Sequence, residues 1–396
     1  MKTLNDLKGV KGKLILLRLD LNVPVDDAGN VTDTTRIDRA KETVLALKKK
    51  GANVAILSHF GRPKGQKDMA YSLSFLPSVL EKQWGVPVGF IDDCLIDPKG
   101  SDTQITLMEN VRFYEGEEAC TPDFVSKIAG GHADIFVNDA FSVSHRAHAS
   151  TEGLAHALPS YAGFAMEKEL DALNDALGEP ERPVAAIVGG AKISTKLDVL
   201  YNLVEKVDIL ILGGGMANTF LYALGAEMGQ SLCEKDMKDQ VLSIFEKAEE
   251  TGCSIMLPMD GKAAEEFKAG AVYDEVPMTA VPENRMILDA GSQSVEAIKS
   301  LLSQCKTLVW NGPMGAFEIE PFDGATNDIA RYAAQLTKAG SLKTIAGGGD
   351  TVAALAKAGV VNDMTYVSTA GGAFLEWLEG KDLPAITALE MMDEEE

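Results

Sequence analysis

The chain has 396 residues, of which 46% are hydrophobic and 24% charged. At that length it divides into about two domains, each long enough to bury its own core without disulfides or a structural metal. With 59 acidic against 37 basic residues the formal net charge is −22, which disfavours nucleic acid and anionic membranes as partners but leaves room for a small phosphorylated ligand in a local basic pocket.

The N-terminal run MKTLNDLKGVKGKLILLRLD has no signal-peptide core, because Arg18 and Asp20 interrupt its apolar stretch. No stretch approaches the length of a membrane span. Cys94, Cys120, Cys233, Cys253 and Cys305 are scattered, with no C-x-x-C pair, as in a reduced, cytoplasmic protein rather than a disulfide framework or zinc site. Along the chain, KLILLRLDL, ANVAILSH, DIFVNDAF, PVAAIVGG, VDILILGGG, TLVWNG, LKTIAGGG and MTYVSTAGG read as short buried strands. Amphipathic stretches such as RIDRAKETVLALKKKG and STKLDVLYNLVEK read as helices between them. Apolar strands alternating with helices indicate α/β domains built on parallel sheets covered on both faces. A helix ending at Gly178, followed by the polar EPERP and a new strand from Val184, marks the boundary. One domain spans about 1–170 and the other about 180–379. The chain closes on LPAITALEMMDEEE, an acidic tail.

In the N-terminal half, RLDLNVP puts Arg18, Asp20 and Asn22 at alternate positions, expected to share one face of a strand end. Arg36, the SHFGRP segment with His59 and Arg62, Arg112 of MENVRF, and Arg146 and His148 of SHRAHAST also fall at or after strand ends. Any one of these arginines alone reads as a surface residue. Together, at a net charge of −22, they make a pocket for a small multiply charged anion. All five histidines lie in this half, but no cysteine or carboxylate set completes a metal site around them.

In the C-terminal half a strand runs four times into glycines and then a helix: GGAK from Gly189, GGGM from Gly213, GGGD from Gly347 and AGGA from Ala370. Such turns let backbone N–H groups approach an anion at a helix N-terminus. There is neither a Walker A sequence nor a G-x-G-x-x-G, which excludes P-loop and ordinary dinucleotide-binding readings. Lys192 and Lys196 are four apart, expected on one face of the helix that begins there. They suit a polyphosphate or, as the competing reading, a solvated helix face. Asp350 and Thr351 stand at a helix start, where Asp350 is either an N-cap or a ligand for nucleotide-bound Mg²⁺, with the Thr351 N–H toward a phosphate. Glu318, which ends WNGPMGAFE, suits ribose hydroxyls or is simply a surface carboxylate.

Taken together, RLDLNVP, SHFGRP, ENVRF, NDAFSVSHRAHAST, GGAKISTK, GGGMANTF, WNGPMGAFE, GGGDT and STAGGAFLEWLEG resemble the phosphoglycerate kinase family in order and spacing, through essentially the whole chain. The resemblance implies two doubly wound, Rossmann-like parallel-sheet domains facing across a cleft, joined by a helix and hinge. It further implies that the tail from about 380 to 396 returns to the N-terminal domain, and that the protein is a monomer. By position, Asp20, Asn22, Arg36, His59, Phe60, Gly61, Arg62, Arg112 and Arg146 would bind 3-phosphoglycerate. Lys196, Glu318, Gly348, Gly349, Asp350 and Thr351 would bind ATP or ADP with Mg²⁺ held by Asp350, and Arg36 and Lys192 would stabilise the phosphoryl group in transfer. A carboxylate nucleophile needs no general base, which agrees with the lack of an obvious one. Two segments depart from the family pattern: Asp289-Ala290-Gly291-Ser292 where it reads D-I-G-P, and Ser368-Thr369-Ala370-Gly371-Gly372-Ala373-Phe374 where it reads S-T-G-G-G-A-S. The lost proline is expected to loosen a loop, and the Ala370 methyl and bulky Phe374 to alter nucleotide affinity. A non-catalytic binding protein on the same fold, and a nicotinamide-dependent oxidoreductase, are the competing readings. Retention of Arg36, Lys192, Lys196 and Asp350 argues against the first and the missing G-x-G-x-x-G against the second.

Overall fold

Runs such as Leu14–Arg18 and Val184–Val188 bury every side chain, as central strands of a parallel sheet covered on both faces must. The computed structural model describes residues 1–394; the end of the acidic tail, 395 and 396, lies outside them. The chain divides into two compact units, Met1–Leu170 together with the segment from Asp382 onward, and Asp171–Lys381.

The first unit holds a six-stranded sheet of β1 (Leu14–Arg18), β2 (Asn53–Leu57), β3 (Gly89–Ile91), β4 (Ile105–Met108), β5 (Ile135–Asn138) and β6 (Ser160–Ala162). The order is β3-β4-β2-β1-β5-β6, with every pairing parallel. The helix Thr35–Lys49 shows how its covering layer forms. Ile37, Ala40, Val44 and Leu47 are buried at helical spacing, so one stripe faces the sheet, and Asp38 in the first turn with Lys48 and Lys49 in the last complements the helix dipole. Ile37, Val44 and Leu47 join Ile15, Leu17, Ile56, Leu107 and Val137 in one core. The tail helix, Pro384–Glu394, packs within this unit, where Ala385 N–H donates to the Ser144 carbonyl at 3.1 Å.

The second unit holds β7 (Val184–Val188), β8 (Ile209–Leu212), β9 (Ser254–Met256), β10 (Asp260–Ala264), β11 (Tyr273–Pro277), β12 (Met286–Ala290), β13 (Thr307–Asn311), β14 (Lys343–Ala346) and β15 (Tyr366–Val367). Its parallel sheet runs β15-β14-β13-β7-β8-β9 around a core that includes Ile187, Ile211, Leu308, Trp310 and Ile329. The sequence patterning did not anticipate the small antiparallel sheet β11-β10-β12, because Lys262 and Glu275 interrupt any apolar run there. In the large sheet, β8 and β9 extend to one side of β7 while β13, β14 and β15 extend to the other. The order therefore reverses between β7 and β13, and a ligand site is expected beyond their carboxyl ends.

Candidate active site

In the first unit the order reverses between β1 and β5. Strand β1 ends at Arg18, so Asp20 and Asn22 lie in irregular backbone beyond it rather than on one strand face. The expected alternation fails because the chain leaves the sheet here to turn its polar groups toward neighbouring loops. The Asp20 carboxylate ion-pairs with Arg36 from the first turn of Thr35–Lys49 and accepts from the Ser142 hydroxyl. It also accepts from Asn22 N–H at 3.1 Å. Burial pushes its acidity down, but the Arg36 guanidinium, the Ser142 hydroxyl and the Asn22 N–H favour the charged form, and the carboxyl lies below its ordinary range.

Asn22 Oδ1 accepts from Gly61 N–H at 3.0 Å, and Arg112 Nη1 donates to the Gly61 carbonyl at 3.0 Å. Asn110 completes the clamp: its amide donates to the Phe60 carbonyl at 2.8 Å, and its Oδ1 accepts from Arg112 N–H at 3.0 Å. The segment His59–Gly61 is thus fixed from both sides, with Phe60 against Phe75 at 5.2 Å between ring centres. His59 is buried, and burial followed by Arg18 pushes its imidazole well below the ordinary range, so it is neutral. Arg62 and Arg146 are exposed, with guanidinium groups that make no hydrogen bond or ion pair among the described residues. Arg146 lies within electrostatic reach of Arg112, and Arg36 and Arg112 within reach of His59. The unit therefore gathers Asp20, Asn22, Arg36, His59, Phe60, Gly61, Arg112 and Arg146, with Arg62 next along the chain from Gly61. Arg18, by contrast, is buried and committed to protein partners.

In the second unit a cavity of about 300 Å³ sits at the β7/β13 reversal, lined by Gly189, Lys192, Lys196, Asn311, Gly348, Gly349, Asp350 and Thr351 among others. Lys192 and Lys196 do not share a helix face. They flank a single 3₁₀ turn, Ile193–Thr195, and the helix begins only at Leu197. Glu234 holds that turn, accepting from Ser194 N–H at 3.0 Å and from its hydroxyl at 2.6 Å. Lys192 is left exposed. Lys196 turns inward, and its Nζ donates to the carbonyls of Gly189 (2.9 Å) and Asn311 (3.1 Å) and to Asn311 Oδ1 (2.6 Å). Burial pushes its ammonium down to about 8, against the pull of Asp350. Sequence reasoning missed Asn311, though its place at a strand end before Gly312 was the available signal.

The helix Gly349–Ala358 aims its first N–H groups, which have no partner within the helix, at this cavity. Its N-cap is Gly348, at φ +97, a conformation suited to glycine, and a Cβ there would meet the Asn311 amide at 2.7 Å. Asp350 therefore lies inside the first turn rather than at the cap, with its carboxylate exposed. The Thr351 hydroxyl accepts from Gly312 N–H at 2.7 Å. Adjoining is a larger, mostly apolar cavity of about 430 Å³, whose walls include Gly214, Gly215, Leu232, Met286, Phe317, Glu318 and Asp350. Glu318 is exposed.

At both family departures the side chains are tied into the protein. Ser292 is the first residue of the helix Ser292–Leu302, where proline would sit. Its N–H and hydroxyl instead donate to Glu275 Oε2, at 3.1 and 2.6 Å. Asp260 caps the next two N–H groups, Gln293 at 3.0 Å and Ser294 at 2.8 Å. The loop is anchored rather than loosened. Ala370 has an ordinary φ of −94 and is buried, so its methyl packs inward. Phe374 is fully buried, with its ring over Gly347, where an added Cβ would fall 2.5 Å from it. The aromatic ring fills core and does not enter the cavity lining.

Two parallel α/β units, one gathering arginines around an imidazole and the other presenting glycine turns, a helix N-terminus and lysines beside an apolar cavity, define a phosphotransferase of the nucleotide-dependent kinase class. The phosphoglycerate kinase family model matches residues 4–381. The phosphoglycerate kinases of Rhizobium meliloti and Rhizobium leguminosarum are 56% and 55% identical over 394 residues, covering 98% of this chain and of each relative. The solved phosphoglycerate kinase of Coxiella burnetii superposes with a TM-score of 0.92 at 41% identity, over 98% of both chains. That of Pyrococcus horikoshii superposes with a TM-score of 0.80 at 29% identity, over the full length of both. The chain belongs to the phosphoglycerate kinase family.

Proposed function

We propose that the chain catalyses the glycolytic phosphoryl exchange of its family, 1,3-bisphosphoglycerate plus ADP to 3-phosphoglycerate plus ATP and the reverse, with the first unit taking the phosphoglycerate and the second the nucleotide. The observation that carries the division of labour is the cavity at the β7/β13 reversal, where Lys196, Gly348 and the N-terminus of Gly349–Ala358 meet. Backbone N–H groups and a lysine suit a polyphosphate, and the apolar cavity beside it suits a base with Glu318 toward the ribose. On the other unit, Arg36, Arg62, Arg112 and Arg146 supply forked donors for phosphate and carboxylate, while Asn22 and neutral His59 supply uncharged hydrogen bonds.

Asp350 fits Mg²⁺, because an exposed carboxylate beside a phosphate site is the usual protein share of a Mg-nucleotide, whose other ligands are phosphate oxygens and water. Bound there, the ion neutralises charge on the nucleotide phosphates. In the ATP-consuming direction a carboxylate oxygen of 3-phosphoglycerate attacks the γ-phosphorus, the new acyl O–P bond forms, the bond to the β-phosphate bridging oxygen breaks, and ADP leaves. The carboxylate is already ionised at neutral pH, so no general base is required. Arg36 and Lys192 hold the charge on the equatorial oxygens, and the rest is positioning. Because the two binding sets belong to different units, transfer requires the substrate-loaded units to come together and exclude water. The protein acts as a cytoplasmic monomer in this reading. Among the described residues no helix is long and apolar enough to cross a membrane.

Steady-state kinetics of Arg36→Ala and Lys192→Ala tests the assignment. Each is expected to lower kcat by at least about a hundredfold while changing substrate KM far less. A change confined to KM would remove both residues from the transition state.

A further inference from the structure

Arg18 and His59 lie 41 positions apart and meet at the end of the first unit's sheet. Arg18 is 1% exposed and His59 4%. Arg18 Nη2 is 3.1 Å from His59 Nδ1. A guanidinium only donates hydrogen bonds, and although burial lowers the Arg18 pKa to about 10, the side chain stays charged at neutral pH. His59 Nδ1 must therefore be the acceptor and carry no proton. A neutral imidazole with a bare Nδ1 carries its single proton on Nε2.

The chain of donors continues outward from Arg18. Its Nε donates to Ser150 Oγ at 2.8 Å. With that oxygen accepting from Arg18, the hydroxyl proton goes to Glu117 Oε1, 2.6 Å away, while Ser150 N–H donates to Glu117 Oε2 at 2.9 Å. Glu117 is 0% exposed. The order of donors is thus set from the buried carboxylate back to the imidazole: Glu117 accepts from Ser150, Ser150 accepts from Arg18, and Arg18 donates to His59.

We infer that Arg18, anchored by Ser150 and Glu117, is a positioning residue that locks His59 as a neutral Nε2–H donor, so that His59 offers the substrate one hydrogen bond to an acceptor oxygen and no charge. Nε2 makes no hydrogen bond among the described residues. The charged groups around the ring are Arg18, Arg36 and Arg112, which oppose a second proton, and Asp20, which favours it. Asp20 is itself engaged by Arg36 and Ser142. A ring that stayed free to titrate would change its charge between about pH 5 and 8, and substrate affinity would change with it. The locked ring removes that dependence. This inference rests on His59 as a substrate contact, which the test below separates from the lock itself.

Heteronuclear NMR of the imidazole nitrogens in the full chain reads the protonation state directly. The expected His59 pattern is a bare Nδ1 and a protonated Nε2, unchanged where an ordinary imidazole takes up its second proton. A proton on Nδ1, or a second proton taken up as an ordinary imidazole takes it up, overturns the proposal. The charge-compensated variant Arg18→Met with Glu117→Gln removes the lock without leaving a lone buried charge. There, His59 is expected to titrate nearer its ordinary range and the KM for 3-phosphoglycerate to become pH-dependent. An unaltered His59 titration in that variant also overturns the proposal. At His59 itself, glutamine places an amide donor near the Nε2 position and asparagine near Nδ1. His59→Gln is expected to keep the KM for 3-phosphoglycerate within about threefold, and His59→Asn to raise it about tenfold or more, as loss of a hydrogen bond to a charged ligand does. If instead the Nε2–H pattern is present but does not respond to 3-phosphoglycerate, and the two variants match, the lock stands and the assignment of His59 to the substrate fails.

Discussion

In the proposed nucleotide site, Lys196 is expected to couple nucleotide binding to a proton. Its ammonium is held down to about 8 from an ordinary 10.5 because it is buried, a preference for the neutral amine of about 3 kcal/mol. Nucleotide phosphate beside it reverses the balance by favouring the charged form, so binding returns the group toward its ordinary value and takes up a proton. At about pH 8 the free protein has half of its Lys196 deprotonated, and nucleotide binding then takes up about half a proton; at about pH 7 the uptake is about a tenth. The sign follows from the depressed value. Affinity is full below about pH 8 and weakens above it, by about tenfold between pH 7 and pH 9. Calorimetric titration of ADP in buffers of different ionisation enthalpy measures the uptake. Lys196→Met is the reference, because it cancels the phosphates' own titration. The variant should fold, since losing donors to the Gly189 and Asn311 carbonyls is offset by removing a buried charge. Equal proton uptake by parent and variant at pH 8 would refute the argument.

Two further predictions concern stability. Phe374→Ser empties the space over Gly347 and should cost about 3–5 kcal/mol, read as a lower denaturant midpoint for the second unit; a loss under about 1 kcal/mol would show that the ring is not core. Asp139 is buried, with Oδ1 accepting from Met166 N–H at 2.9 Å and Oδ2 unpartnered, and burial pushes its carboxyl up to about 6. A raised carboxyl contributes stability at low pH that is lost as pH rises through 6, so Asp139→Asn should gain about 2 kcal/mol relative to the parent between about pH 4 and pH 7. Denaturation of both proteins across that range checks it, and parallel pH profiles would contradict it.

What the sequence revealed, and what it hid, follows from the range of the interactions involved. Val184–Val188 and Ile209–Leu212 announce themselves because a doubly covered parallel strand is apolar at every position. The antiparallel strand Asp260–Ala264 does not, because it carries Lys262 and is specified by pairing with Tyr273–Pro277 and Met286–Ala290. The spacing of Lys192 and Lys196 is helical, yet Glu234, some 40 residues on, pins a 3₁₀ turn between them. Arg18 looked like one more arginine for an anion. Its burial depends on Glu117 and Ser150, which no local pattern links to it. The glycine turns and the set of exposed arginines were legible because their chemistry is local.

Acyl-phosphate transfer by the two units together is read out by a coupled assay with ATP, Mg²⁺ and 3-phosphoglycerate. ADP formation is expected to require all three and to fall by at least about a hundredfold in Arg36→Ala. Intact ADP binding without turnover in the parent protein would contradict it.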